Sequence, residues 1–400
     1  MAKKLNLQNS LKRFQEVYHG AENTRRKQLM ERHSKRLPCE RIPVYFSVPF
    51  DWSLMRVNLW MELLDCPLDV AAILRTTGEY PRELAEEVIA FQLEQRIFYI
   101  EHMLGDVPIR PALSTNFNIL WVENHNKLNA IYDKVQYDLK TGDFHIEPFL
   151  NTEDDLEQLK LNEYHFDAAL SQRRVALFTE LTGGTFEIRD DIIGSGYLNK
   201  LGSPFEEACR SRGMMNLLMD MKDNPDFLHR LMKKLTGFCI SRAEEMNRKS
   251  GTRNFIANIG GDDVNCQMFS PDDYREFIFP YELECSRHGS DYNYHSCGSL
   301  TPIYKQIAEL QNLSVIHISP WSDIRTAVDV YSGKPVTLQK CMDTQRDILN
   351  KDDAGMVAQI DEMRSAFGSS IVEVACHCET ADAVAKTTRF VTLARERLQR

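Results

Sequence analysis

Between residues 5 and 36 the chain is strongly charged, yet Leu5, Leu11, Phe14 and Val17 recur at helical intervals. This spacing predicts an N-terminal helical extension over residues 1–38. Arg41-Ile-Pro-Val-Tyr-Phe-Ser-Val48 is β-rich and stops at Pro49, after which helical periodicity resumes from Trp52 to Leu64. The clearest helix runs from Arg82 to Leu104, with Leu84, Val88, Phe91 and then Leu93, Ile97, Ile100 and Leu104 three or four residues apart. Residues 132–149 change period. Val135, Tyr137 and Leu139 alternate up to Thr141-Gly142-Asp143, and Phe144, Ile146 and Pro148 alternate after it, which predicts a hairpin. From Phe186 onward strand-like and helix-like segments take turns. The strands are expected at Thr185–Ile188, Asn254–Ile259, Asp291–His295, Val315–Ile318, Pro335–Gln339 and Ile371–Ala375. The helices are expected at Asp226–Asn247, Pro271–His288, Leu300–Leu310, Asp323–Val330, Ala354–Phe367 and Ala381–Leu398. Such alternation implies an α/β architecture with a parallel sheet. No internal repeat or low-complexity linker divides residues 39–400, so they read as one domain.

Composition narrows the class. Hydrophobic residues make up 43% and charged residues 26% of the 400, the balance of a soluble globular protein. The chain opens on charged and polar residues without the apolar segment of a secretory signal, and no stretch of about 18 apolar residues follows. A cytoplasmic protein without membrane contact is the expectation. Ten scattered cysteines then read as reduced thiols, available to metal. A net charge of −10 argues against a nucleic-acid partner. The basic cluster of Arg25, Arg26, Lys27, Arg32, Lys35 and Arg36 reads as a solvated helix face.

The segments with candidate chemistry sit at the ends of expected strands, where parallel α/β proteins gather their active sites. Ser290-Asp-Tyr-Asn-Tyr-His295 runs into His295-Ser-Cys297-Gly, and Ile371-Val-Glu-Val-Ala-Cys376 runs into Cys376-His-Cys378. One imidazole and at least two thiolates from separate segments suit zinc. Three protein ligands with a fourth position open make a Lewis acid that can bind and activate a substrate. Asp262-Asp263, Ser319-Pro-Trp321 and Cys341 also follow expected strands. His317, on an apolar run, reads as a hydrogen-bonded core histidine, and Cys266 as a packed thiol. Glu187, Arg189 and Asp190-Asp191 read as a salt-bridged rim, and Trp52, Trp60 and Trp321 as ordinary apolar burial.

Several segments from about residue 185 to 395 resemble the uroporphyrinogen decarboxylase superfamily of TIM barrels, in particular its zinc- and cobalamin-dependent methyltransferases. They are Asn216-Leu-Leu-Met-Asp-Met-Lys-Asp-Asn-Pro225, Gly260-Gly-Asp-Asp-Val264, Phe269-Ser-Pro-Asp-Asp-Tyr-Arg-Glu-Phe277, Pro280-Tyr281, Tyr294-His-Ser-Cys-Gly298 and Val336-Thr-Leu-Gln339. The resemblance implies a (β/α)8 TIM barrel behind the helical extension. It implies His295 and Cys297 as zinc ligands, with Cys376 as the third, and Asp262 and Asp263 as active-site acids that orient substrate or exchange a proton. The function implied is methyl transfer between a small-molecule donor or thiol acceptor and cobalamin carried by a separate corrinoid protein. This chain contains no Asp-x-His-x-x-Gly segment of its own for cobalamin. Two departures stand out. Lys340-Cys341 replaces the usual Gly-Asn pair, and Cys376-His-Cys378-Glu replaces the usual turn, so Cys378 and Cys341 stay open as alternatives to Cys376. Between Arg41 and Arg75 the only basic residue is Arg56. The decarboxylase's early arginine cluster for substrate carboxylates is therefore missing. A non-catalytic zinc scaffold that docks a corrinoid protein is the third reading.

Overall fold

A computed structural model of the chain describes residues 5–47, 54–69, 79–115, 136–137, 144–145, 147–160, 168–189, 203–250, 256–288, 291–378 and 380–400. Its strands are β1 (Val44–Ser47), β2 (Ala112–Ser114), β3 (Gln136–Tyr137), β4 (Phe144–His145), β5 (Glu187–Arg189), β6 (Ile256–Gly260), β7 (Asp291–His295), β8 (Leu313–Ile318), β9 (Thr337–Cys341) and β10 (Val372–His377). Six form a parallel sheet in the order β1-β10-β9-β8-β7-β6; β2 pairs in parallel with β5, and β3 with β4 as the expected antiparallel hairpin. Because β1 lies beside β10, the end of the chain closes on its beginning. Ile42 N–H donates to Leu398 O at 2.9 Å, and Arg41 bridges to Gln399.

Parallel neighbours need crossovers, and the expected helices supply them. Pro271–Phe277 and Phe279–Ser286 lie between β6 and β7, Ile324–Tyr331 between β8 and β9, and Asp353–Phe367 between β9 and β10. The first of these connections was expected as one helix over Pro271–His288. It breaks at Ile278 (φ −121°, ψ −54°), because Pro280 has no N–H to continue a helix and suits the first turn of a new one. The helix at Pro271 begins on a capping box: Ser270 Oγ accepts from Asp273 N at 3.1 Å, and Asp273 Oδ2 accepts from Ser270 N at 3.1 Å.

The strands alternate faces as β geometry requires. Val44, Phe46, Ile316, Ile318, Leu338, Val372 and Val374 are buried in the apolar core. From the other face Tyr45, Asn293, His317, Thr337, Gln339 and Glu373 line a cavity of about 480 Å³. The N-terminal residues form two helices, Leu7–Tyr18 and Ala21–Ser34, and neither stands apart from the core. Phe14 is fully buried and packs on Phe186 with centroids 5.0 Å apart. His33 of the second helix reaches Glu373 of β10 at 2.9 Å, and both line the cavity. Arg26 departs from the solvated face expected for it. It is fully buried, paired to Glu22 at 2.9 Å and lying over the Tyr99 ring at 5.4 Å.

The deepest ionic contact holds the start of β1. Arg41 grips both oxygens of buried Asp106, which also accepts from Val44 N at 2.8 Å. Removing one partner of such a pair strands a charge out of water. Asp106→Ala is expected to lower the unfolding free energy by about 3–5 kcal/mol in chemical denaturation; a loss below about 1 kcal/mol would show that water reaches Arg41.

Candidate metal centre

The site begins where β6 ends. Gly260 pairs in register with His295 across β6 and β7 and has φ +87°, and a Cβ there would strike the His295 carbonyl oxygen and the Tyr294 ring. Only glycine fits that turn. The chain then doubles back so that Asp262 Oδ1 lies 2.9 Å from His295 Nε2, and Cys297 Sγ lies 3.5 Å from the same nitrogen. The oxygen, nitrogen and sulfur donors of Asp262, His295 and Cys297 all fall within 4.8 Å of one another, with Asp262 and Cys297 exposed. The Asp262 carboxyl is held well below the usual carboxylate range, first by its hydrogen bond with His295 and then by that with Cys297, which outweigh its burial. Asp263 moves the other way, because burial disfavours its charge. Neither aspartate caps the helix at Pro271, a task that Ser270 and Asp273 perform.

A second group lies beside the first. His317, Cys341 and His377, from the ends of β8, β9 and β10, also place their donor atoms within 4.8 Å of one another. The His295 and His317 rings stack at 4.4 Å with 17° between their planes, joining the two groups. His317 is buried and hydrogen-bonded to Ser296 O at 2.7 Å, as expected of a core histidine, and it belongs to a donor cluster as well.

Cys376 is not brought to His295 and Cys297. β10 continues through His377, two residues beyond the apolar run that ends at Ala375, so Cys376 lies inside the strand. It shares the face of Val372 and Val374, is wholly buried in the apolar core, and its thiol is raised by that burial. His377, the next residue, turns toward the donor cluster instead. Cys378 is also buried in the core, with its thiol 3.1 Å from Thr380 O.

A family profile described as uroporphyrinogen decarboxylase (URO-D) matches residues 134–397. The chain belongs to the uroporphyrinogen decarboxylase family. No curated protein is similar in sequence at a significant level. Among solved structures, a methyltransferase from Methanosarcina mazei superimposes with a TM-score of 0.53 at 16% identity, covering 93% of this chain and 98% of its own. A Listeria monocytogenes protein provisionally assigned as a vitamin-B12-independent methionine synthase gives a TM-score of 0.34 at 12% identity, covering 72% of this chain and 81% of its own. Family membership implies that the parallel strands belong to a TIM barrel, whose C-terminal face carries the chemistry. Both donor groups are at that end of their strands.

Against this family background, the rim holds two residues that sequence patterning gave no reason to select. Glu206 and Arg210 form an ion pair on the helix Pro204–Arg212. Burial first, then the charges of Glu207, Asp262 and Asp263, push the Glu206 carboxyl up to about 7 against the pull of Arg210. A carboxyl poised near neutrality beside two aspartates can hold or release a proton at working pH. The other candidates are accounted for locally. Burial pushes the Cys266 thiol up to about 12, Glu187 pairs with Arg189 at 2.8 Å, and Trp60 is fully buried. Trp321, against the burial expected for it, is exposed under the Arg346 guanidinium, 5.0 Å from the ring centroid. Trp52, Asp190 and Asp191 lie outside the described residues.

Two outcomes follow from this geometry. Glu206 stays protonated in the fold up to about 7, against 4.5 ordinarily. Its contribution to stability is therefore complete below about 4.5 and lost as pH rises through about 7. Glu206→Gln is expected to remove that slope from the pH dependence of unfolding and a carboxyl C=O band titrating near 7 from the infrared difference spectrum; an unchanged band would place the proton elsewhere. Cys376→Ser, which puts a hydroxyl into an apolar pocket, is expected to lower the melting temperature while leaving zinc affinity within about threefold of wild type; this shift is small against the 10–100-fold cost typical even of outer-shell changes. A tenfold loss in zinc competition would return Cys376 to the ligand set.

Proposed function

We propose that this chain is a zinc-dependent methyltransferase on a closed (β/α)8 barrel, residues 39–400, with residues 1–38 as its helical extension. It moves a methyl group between a small-molecule donor or thiol acceptor and the cobalamin of a separate corrinoid protein. The observation that carries this reading is the convergence of Asp262, His295 and Cys297 at the ends of β6 and β7. An oxygen, an imidazole nitrogen and a thiolate sulfur are all zinc donors, and three of them leave a coordination position for substrate. Their chemistry fits the ion. The Cys297 thiol would release its proton on loading, and an Nε2 proton that His295 gives to Asp262 would move to Nδ1, freeing the ring lone pair. Zinc held there would supply Lewis acidity toward a thiol, or toward the heteroatom that bears a methyl group.

The chain's own groups divide the remaining work. Asp262 and Cys297 bring the charge that offsets a dication, while exposure of Cys297 leaves the centre open to a substrate from solvent. Glu206 can carry the proton that a substrate thiol gives up, or return one to a demethylated product. Arg210 keeps that carboxyl from drifting further from neutrality. The direction of transfer is set by which small molecule occupies the open position.

The alternative within the family, decarboxylation of uroporphyrinogen, would need cationic groups for several substrate carboxylates. Arg41 is committed to Asp106 in the interior, and no metal would be needed for that chemistry. Two experiments decide between the readings. Zinc-loaded protein is expected to change the corrin absorption when mixed with methylcob(III)alamin and a suitable thiol, or with cob(I)alamin and a suitable methyl donor. It is not expected to release coproporphyrinogen from uroporphyrinogen, and enzymatic formation of that product would overturn the proposal. His295→Ala and Cys297→Ala should each lose most of the zinc bound at this site, and the corrin reaction, with unchanged circular dichroism. Unfolding of both would make the zinc structural, which favours a docking scaffold over an enzyme.

A further inference from the structure

The second donor group has the composition of a metal site and lies outside the ligand set of the proposed function. His317, Cys341 and His377 come from three successive strand ends, and their donor atoms lie within 4.8 Å of one another. Such proximity between two imidazoles and a thiol has no use in apolar packing. Cys341 is buried yet stands outside the apolar core cluster that contains Cys376 and Cys378. His317 is already oriented as metal-bound histidines are. Its Nδ1 lies 2.7 Å from the Ser296 carbonyl, which can only accept, so Nδ1 carries the proton and Nε2 keeps the lone pair. The main chain of His377 is pinned in turn by Thr344, whose hydroxyl donates to His377 O at 2.5 Å.

We infer that His317, Cys341 and His377 form a second metal site, selective for zinc or a similar divalent cation that prefers nitrogen and sulfur, next to the Asp262–His295–Cys297 site. Two neutral imidazoles and one thiolate leave a dication with one positive charge unbalanced, so the fourth ligand it takes is anionic, a thiolate or hydroxide. The stack of His295 on His317 makes the two sites neighbours, and one small anionic substrate can be presented to both. This inference does not depend on methyl transfer, since it concerns metal content alone.

The test is metal stoichiometry on the full chain. After equilibration with buffered zinc, elemental analysis is expected to give about two equivalents per chain. Cys341→Ser and His377→Asn should each reduce this to about one while His295 and Cys297 keep their ion, and His295→Ala should remove only the other. Cobalt(II) titration of the unaltered protein gives a check that needs no variant. Two saturating steps are expected, each with its own thiolate-to-cobalt charge-transfer band, and Cys341→Ser should abolish one. A single step, or loss of all metal in every variant, would mean one ion shared by the six residues and would overturn the inference. So would full wild-type stoichiometry in Cys341→Ser and His377→Asn. Failure of the methyltransferase reading would show instead as an unchanged corrin spectrum with both ions present.

Discussion

The constraint on which the site depends is the parallel register of β6 to β10. Parallel strands point their C-terminal ends the same way, so residues that close one strand meet residues that close its neighbours. Gly260 lies opposite His295, Val315 opposite Thr337, and Ala375 opposite Cys341. Six donors far apart in sequence, from Asp262 to His377, are thereby assembled without any loop having to travel far. The chain meets the close contact between β6 and β7 with a glycine in the left-handed region, because any Cβ at 260 would strike β7. Closure of the chain end onto β1, secured by the Arg41–Asp106 pair and the Ile42–Leu398 hydrogen bond, keeps that register fixed at the far edge.

Charge at the mouth is set by three neighbouring carboxyls and one guanidinium. Asp262, Asp263 and Glu206 influence one another's charge, with Arg210 paired to Glu206, and the outcome differs for each. Hydrogen bonds keep Asp262 ionised, whereas burial pushes Asp263 and Glu206 toward their neutral forms. A dication at Asp262, His295 and Cys297 would satisfy the first and ease ionisation of the others. The acidic cluster and the donor group therefore belong to one electrostatic unit, with Glu206 the member whose proton is most readily moved at neutral pH.

Much of the fold was legible because period reports environment. The alternating segments from Phe186 onward became strands and helices nearly where expected, and the hairpin around Thr141–Asp143 paired as Gln136–His145 and Tyr137–Phe144. His295, Cys297 and Asp262 were legible because a turn after a strand leaves donors at one end of it. The burial of Cys376 was not, because it turns on where β10 ends. Ending β10 at Ala375 makes Cys376 a mouth residue, whereas ending it at His377 buries Cys376 and turns His377 inward. An error of two residues in strand length, ordinary for boundaries read from sequence, decides which donor faces the site. Glu206 and Arg210 had no signal at all, since a helical i,i+4 pair looks the same on a rim as at an active centre.

Among the described residues, several arginines are already taken up by partners inside the fold. A barrel that holds a poly-acid must offer guanidinium groups to carboxylates, and those groups must stay free of internal partners. Here Arg41 is spent on Asp106, Arg26 on Glu22 and the Tyr99 ring, and Arg210 on Glu206. These arginines hold the scaffold or, at Arg210, tune an acid, while among the described residues imidazole, thiol and carboxyl groups gather at the strand ends. Such a lining attracts cations and soft ligands and would repel a carboxylate-rich tetrapyrrole unless metal were bound first. Imidazole, thiol and carboxyl donors gathered at these strand ends suit a borderline cation better than they suit a poly-acid.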